Sequence, residues 1–183
     1  EDEIEISGLG KIKYDIAFGG AYYVFVNVED VNLTITPENF RQLIEAGMLI
    51  KNAVKQKVRL SHPYETDLNY LYGTIFTGPP VSEKADSRNV CIFAEGEVDR
   101  SPTGTGVSSR LALHHAKGEI NIGDSLVIES ILGTTFRGSV IKEIRFGSYP
   151  AIIPEVEGTA FITGKSEFVL DPQDSLKHGF LLR

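Results

Sequence analysis

Three features of the sequence predict an α+β fold. Short runs that alternate polar and apolar residues recur along most of the chain. Glycines and prolines punctuate these runs, and two stretches read as helices instead.

The first run, "EIEISGLGKIKYDIAFGGAYYVFVNV", alternates around Gly8 and Gly10, which mark a hairpin or a bend. Gly19 and Gly20 break the alternation, and "AYYVFVNV" resumes as a more buried strand. The first helix is expected over "TPENFRQLIEAGMLIKNAVKQKV". Thr36 suits the N-cap, Pro37 the first helical position, and Glu38 the positive end of the helix dipole. Phe40, Leu43, Ile44, Ala53, Val54 and Val58 fall largely on one face. "YLYGTIFTGPP" reads as a strand stopped by a Gly-Pro-Pro turn, and "NVCIFAEGEVD" as another strand. A second helix is expected from about Thr105 to Lys117, with Gly118 as its C-cap glycine. Four or five short strand-like runs follow, around Gly133, Gly138, Gly147, Gly158 and Gly164, before the tail "DPQDSLKHGFLLR".

Composition narrows the function. The chain has 183 residues, 42% of them hydrophobic and 23% charged, enough to bury a real core in one domain or slightly more. A formal net charge of -7 argues against a nucleic-acid or anionic-membrane partner, because no broad basic surface is available to neutralise phosphates. The single cysteine precludes an intrachain disulfide and fits a reducing cytoplasm better than secretion. No apolar run approaches the roughly 20 residues that span a bilayer. The opening "EDEIEI" is acidic where a signal peptide is basic, and it lacks a methionine, as a trimmed or internal start would.

The stretch "DRSPTGTG" at 99–106 concentrates turn chemistry in front of the second helix. A strand, a tight turn with glycines and a helix N-terminus form a recurring anion-binding arrangement. The first backbone N–H groups of a helix have no intrahelical acceptor, and the dipole there favours negative charge. Gly104 and Gly106 allow the backbone to approach a ligand closely. The spacing is neither G-x-G-x-x-G, since Ser109 stands at the third glycine, nor a P-loop, so a nucleotide is not implied. A carboxylate is the better fit, and Asp99 would suit a cationic group on the same molecule; an amino acid carries both. The alternative is a plain strand-to-helix turn with Asp99 as a capping or turn residue.

"VDRSPTGTGVSSRLALHHAKGE" resembles the signature of the proline racemase family, which includes 4-hydroxyproline 2-epimerases and trans-3-hydroxy-L-proline dehydratases. "AFGGAYYVFV" is similar to the family's Gly-Gly-x-Phe-Tyr strand, with Tyr22 where phenylalanine is usual. "HPYETDLNYLYGTIFTGPP" and "GTAFITGKSEFVLDPQDSLKHGF" also match family blocks. The resemblance covers nearly the whole chain but only the second half of the family's length. The Met-Cys-Gly-His motif of the first half, which carries a catalytic cysteine, is not in this sequence, and Cys91 in "NVCIFA" is not its equivalent.

The resemblance implies a diaminopimelate epimerase-like lobe, strands wrapped around a central helix, with residues 1–165 as the second of two lobes and 166–183 as a tail that packs on the first. It implies an active site between the lobes that uses neither metal nor organic cofactor. Asp99 would meet the substrate amine, and the backbone of Gly104 and Thr105 would hold the carboxylate. In racemases and epimerases two cysteines work on opposite faces of the α-carbon, and the match places the second at Thr103. A hydroxyl is a weak acid or base unless a partner activates it. Thr103 therefore points to dehydration of trans-3-hydroxy-L-proline to Δ1-pyrroline-2-carboxylate, with Thr103 bonded to the departing hydroxyl or to water. The alternatives are a proline racemase or 4-hydroxyproline epimerase relative, and a non-catalytic module that binds an amino acid. The partners implied are a proline-like substrate and the family's N-terminal half; a homodimer is one assembly this allows.

Other conspicuous residues have ordinary readings. His114 and His115, near the end of the second helix, suit a dipole contact or partial burial rather than a metal. His62 reads as a loop residue and Cys91 as core packing. Phe18, Tyr22 and Tyr23 either pack the core or edge the pocket.

Overall fold

The computed structural model describes residues 2–182. Its strands are β1 (Asp2–Ile6), β2 (Gly10–Phe18), β3 (Tyr22–Asn27), β4 (Leu71–Gly78), β5 (Ser87–Phe93), β6 (Glu97–Val98), β7 (Ser125–Ser130), β8 (Thr135–Phe146) and β9 (Tyr149–Glu157). Its helices are α1 (Phe40–Lys57) and α2 (Gly104–Ala116). The strands form one mixed sheet in the order β1-β2-β3-β4-β5-β7-β8-β9, with β6 paired to β5. The pairs β3–β4 and β5–β7 are parallel and each encloses a helix-bearing connection; the other pairs are antiparallel.

Side-chain alternation explains how one sheet serves two helices. Val24, Val26, Phe76, Val90 and Ile92 join Leu43, Ala46, Ile50 and Val54 of α1 in one core. Their strand neighbours Tyr23, Phe25, Ile75 and Cys91 turn to the opposite face, with Leu113 of α2 packed against them. Val107 and Leu111 of α2 also pack with Ile128, Val140 and Ile152 of β7, β8 and β9. α2 thus lies against β2 and β3 on one side and β8 and β9 on the other. The sheet curls around α2, which is the central helix expected of this fold class, and α1 covers the outer face.

Close approach dictates small residues along this seam. A Cβ on Gly138 in β8 would lie 2.7 Å from Val107 Cγ1 and 2.8 Å from Leu111 Cδ1, so the strand can touch the helix only where the side chain is missing. An aromatic cluster joins β2 to β8. Phe18 at the end of β2 lies 4.9 Å from the His62 ring and 6.3 Å from Phe146 of β8, ring centre to ring centre. Tyr64 Oη accepts the Gly147 N–H at 3.0 Å in the β8–β9 turn.

Some expectations need correction. Residues 37–39 form a 3-10 turn before α1, and Thr36 makes no side-chain cap there. Phe40 is exposed, and the buried stripe is Leu43, Ala46, Gly47, Ile50 and Val54. Three strands, not four or five, follow α2, because Gly138 lies inside β8 rather than between strands, and no helix or strand follows Glu157 among the described residues. The second helix begins one residue early, at Gly104, and ends at Ala116. Gly118 closes it with φ +72°, its N–H donating to His115 O at 3.0 Å. No helix among the described residues is long and apolar enough to cross a membrane.

Candidate active site

The hairpin β5–β6 delivers the chain to α2. Asp99 N–H donates to Cys91 O at 3.1 Å, extending that pairing to the first residue of "DRSPTGTG". The loop then folds back on itself. Asp99 Oδ1 accepts the Ser101 N–H at 2.8 Å, an Asx turn, and Ser101 Oγ accepts the Thr103 N–H at 3.1 Å. The Thr103 hydroxyl donates to Asp99 Oδ2 at 2.8 Å. Asp99 and Thr103, four residues apart, therefore form one hydrogen-bonded unit in front of the helix. Sequence alone gave Thr103 no neighbouring base; the reversal of the loop supplies a carboxylate.

Thr103 is buried and sits at φ +68°, a region a β-branched residue rarely adopts. Its side chain makes no helix cap. The N–H groups of Gly104, Thr105 and Gly106 begin the helix and have no intrahelical acceptor.

The two glycines do different work. A Cβ on Gly106 would meet Ile75 Cδ1 at 2.5 Å and Thr103 Cβ at 3.2 Å, so Gly106 seats the first turn on the sheet. A Cβ on Gly104 would meet nothing within 4 Å, so this end of the helix faces open space. Thr105 is anchored sideways: its hydroxyl shares a 2.6 Å hydrogen bond with Tyr23 Oη. Gly19 and Gly20 pass close to the same turn, and a Cβ on Gly19 would lie 2.6 Å from Ser109 Oγ. The loop 19–20 and the helix N-terminus can pack together only with glycine at this point.

Beneath the loop, Asn89 Nδ2 donates to Pro102 O at 3.3 Å and Asn89 Oδ1 accepts from Arg110 Nη1 at 2.8 Å. Arg110 also donates to Ser87 Oγ at 2.7 Å and, through Nε, to His114 Nε2 at 3.1 Å. Burial lowers the Arg110 pKa to about 10, which leaves it charged at neutral pH. This network holds β5, the loop and α2 in one register. It was not legible from sequence, because Ser87 and Asn89 lie 23 and 21 residues from Arg110.

Cys91 is fully buried on the α2-facing side of β5, and burial pushes its thiol up to about 12. It stays protonated at neutral pH and serves as core packing. His62 is buried in its loop, its Nδ1 accepting the N–H of Glu65 at 2.9 Å and of Tyr64 at 3.3 Å. His114 Nδ1 pairs with Glu119, and His115 Nε2 with Glu143 at 3.0 Å, so both histidines gain carboxylate partners as well as their place near the helix end. No group of three metal-ligating side chains occurs among the described residues. Tyr23 belongs to the core, whereas Phe18 and Tyr22 are half-buried.

A mixed sheet curled around a helix whose N-terminus is open and flanked by a carboxylate defines an α+β fold of the isomerase type. The chain belongs to the proline racemase family, whose model matches residues 1–181. It is 44% identical over 183 residues to the trans-3-hydroxy-L-proline dehydratase of Colwellia psychrerythraea, covering 100% of this chain and 52% of that one. It is 39% identical over 181 residues to the proline racemase of Clostridioides difficile, covering 99% of this chain and 54% of the relative. Among solved structures, a hydroxyproline epimerase from Agrobacterium vitis with bound trans-4-hydroxy-L-proline superposes with a TM-score of 0.87 at 35% identity, covering 99% of this chain and 52% of that one. The chain thus spans about half the length of the curated relatives it matches.

Proposed function

We propose that this chain is the second lobe of a two-lobe enzyme that dehydrates trans-3-hydroxy-L-proline to Δ1-pyrroline-2-carboxylate. The observation that carries the reading is Thr103, a hydroxyl at the family position of a cysteine, with its proton directed at Asp99. A hydroxyl there is poorly suited to returning a proton to the α-carbon but well suited to bonding a departing hydroxyl.

In this reading the substrate carboxylate rests on the N–H groups of Gly104 and Thr105, on the open side of Gly104. Those donors and the helix dipole stabilise the enediolate-like charge that develops when the α-proton leaves. Asp99 receives the ring ammonium on the carboxylate lone pairs not used by Ser101 and Thr103. By the family resemblance, the base that takes the α-proton is a cysteine of the first lobe; Cys91, buried and protonated, does not serve. The tail from 166 onward packs on that first lobe. Its Phe168 and Val169 are 91% and 86% exposed here, as residues awaiting an apolar partner surface would be. The reaction needs neither metal nor organic cofactor, and the enzyme works in the cytoplasm.

The test uses the complete two-lobe protein with L-proline and trans-3-hydroxy-L-proline in separate reactions, followed by NMR and chiral chromatography. The expected result is imine from the 3-hydroxy substrate and no D-proline from L-proline. Racemisation of L-proline without dehydration would instead establish a racemase, and turnover of neither substrate a binding module or a different substrate.

A further inference from the structure

We propose that Asp99 and Thr103 form a proton relay that carries a proton from the substrate's ring ammonium to the departing 3-hydroxyl. The inference rests on the dehydratase reading and adds to it the source of the proton that the leaving group requires.

The chemistry poses two problems that the geometry answers together. Hydroxide is a poor leaving group and must be protonated as the C3–O bond breaks. Thr103 alone is a poor acid, because donating its proton leaves an alkoxide unless another proton arrives at once. Meanwhile the ring nitrogen begins as an ammonium and ends as a neutral enamine, so it must lose a proton. Asp99 Oδ2 lies 2.8 Å from Thr103 Oγ, within direct transfer distance. Asp99 Oδ1 is fixed by the Ser101 N–H, and Thr103 is fixed through its own N–H on Ser101 Oγ. The carboxylate and the hydroxyl are therefore held against each other before any substrate arrives.

The step balances as follows. The first-lobe thiolate takes the proton from C2 and becomes a thiol. The C2–H electron pair forms the C2–C3 double bond, and the C3–O pair departs on oxygen. One ammonium N–H proton passes to Asp99. The Asp99–Thr103 hydrogen bond reverses, so Asp99 donates to Thr103 Oγ while the hydroxyl proton of Thr103 passes to the departing oxygen. Water and a neutral cyclic enamine result, and Asp99 is again a carboxylate, with no proton drawn from solvent.

The relay is needed only when the leaving group needs a proton. In the complete enzyme, trans-3-chloro-L-proline loses chloride without one, whereas trans-3-hydroxy-L-proline cannot lose hydroxide unaided. Thr103→Val keeps the shape and removes the hydroxyl. It should lower kcat on the hydroxy substrate by on the order of 100-fold or more, the usual size of a general-acid contribution. Its kcat on the chloro substrate should stay within roughly 10-fold of wild type, and Thr103→Ser should retain activity on both. The wild-type enzyme provides a readout independent of any variant: elimination from the hydroxy substrate should show a larger solvent deuterium effect on kcat than elimination from the chloro substrate. Equal losses on the two substrates in Thr103→Val, or equal solvent effects in wild type, would overturn the relay and leave the Asp99–Thr103 bond as loop architecture. Wild-type failure to eliminate from either substrate would sink the dehydratase reading itself, an outcome distinct from these.

Discussion

Gly104 and Gly106 stand two residues apart and are chemically identical, yet their surroundings differ completely. Gly106 is pressed onto Ile75 and Thr103, whereas Gly104 borders open space. Alanine substitution separates packing from binding. Gly106→Ala forces a methyl into a filled seam and should destabilise the protein by about 1–3 kcal/mol, read as a lower Tm. Gly104→Ala should leave Tm unchanged or slightly higher, because alanine is the better helix residue and meets no neighbour. The same methyl stands where the substrate carboxylate is proposed to rest, so kcat/KM of the complete enzyme should fall by roughly 10- to 100-fold through misplacement. Calorimetry and steady-state kinetics on both variants check the pair. The motif marked this stretch from sequence, but the division of labour between the glycines depends on Ile75 of β4, which the motif does not contain.

Among the elements, α2 was the most legible, because turn residues and glycines mark both of its ends. Strands β2 to β5 were legible too, although their alternation is blunted by burial on both faces. The start of α1 was misplaced because Pro37 is as much at home in a 3-10 turn as in an α-helix. The runs after α2 were overcounted, in part because Gly138, a glycine inside β8 that admits α2, looks locally like a breaker. The hydroxyl–carboxylate pair of Asp99 and Thr103 was not legible at all, since it depends on a loop that reverses through Ser101. Burial on the α2 side of β3 and β5 also sets an alkaline limit. Cys91 is raised from 9.0 to about 12, and burial raises Tyr23 as well. In both cases the folded state resists ionisation that the unfolded chain accepts. Stability is thus full below pH 9 and declines as pH rises toward the folded values, by up to about 1.4 kcal/mol per pH unit for each group past its unfolded pKa. Chemical denaturation between pH 8 and 10.5 should show this decline, and Cys91→Ala should flatten its first part. A flat wild-type profile would show that the thiol is not held protonated by the fold.

At the scale of the whole molecule, the candidate site lies on an open face beside Gly104. The helix N-terminus, Asp99 and Thr103 are proposed to hold and polarise an amino acid, and the one cysteine among the described residues, Cys91, is buried and protonated. The α+β architecture was readable from sequence, and one motif places the strand, the loop and the central helix of the candidate site together. The first lobe proposed to lie opposite was implied only by resemblance, since no residue of this sequence carries the family's Met-Cys-Gly-His motif. The central claim is that the Gly104–Thr105 backbone holds a carboxylate while Asp99 holds a ring nitrogen. Pyrrole-2-carboxylate tests it most directly, since its planar ring resembles the flattened α-carbon formed on proton loss. The measurement is a crystal structure of the complete enzyme with this compound bound. The account predicts the carboxylate oxygens within hydrogen-bond distance of the Gly104 and Thr105 N–H groups, the ring N–H on Asp99, and C3 beside Thr103 Oγ. A ligand bound with its carboxylate away from the start of α2, or with its ring nitrogen remote from Asp99, would contradict it.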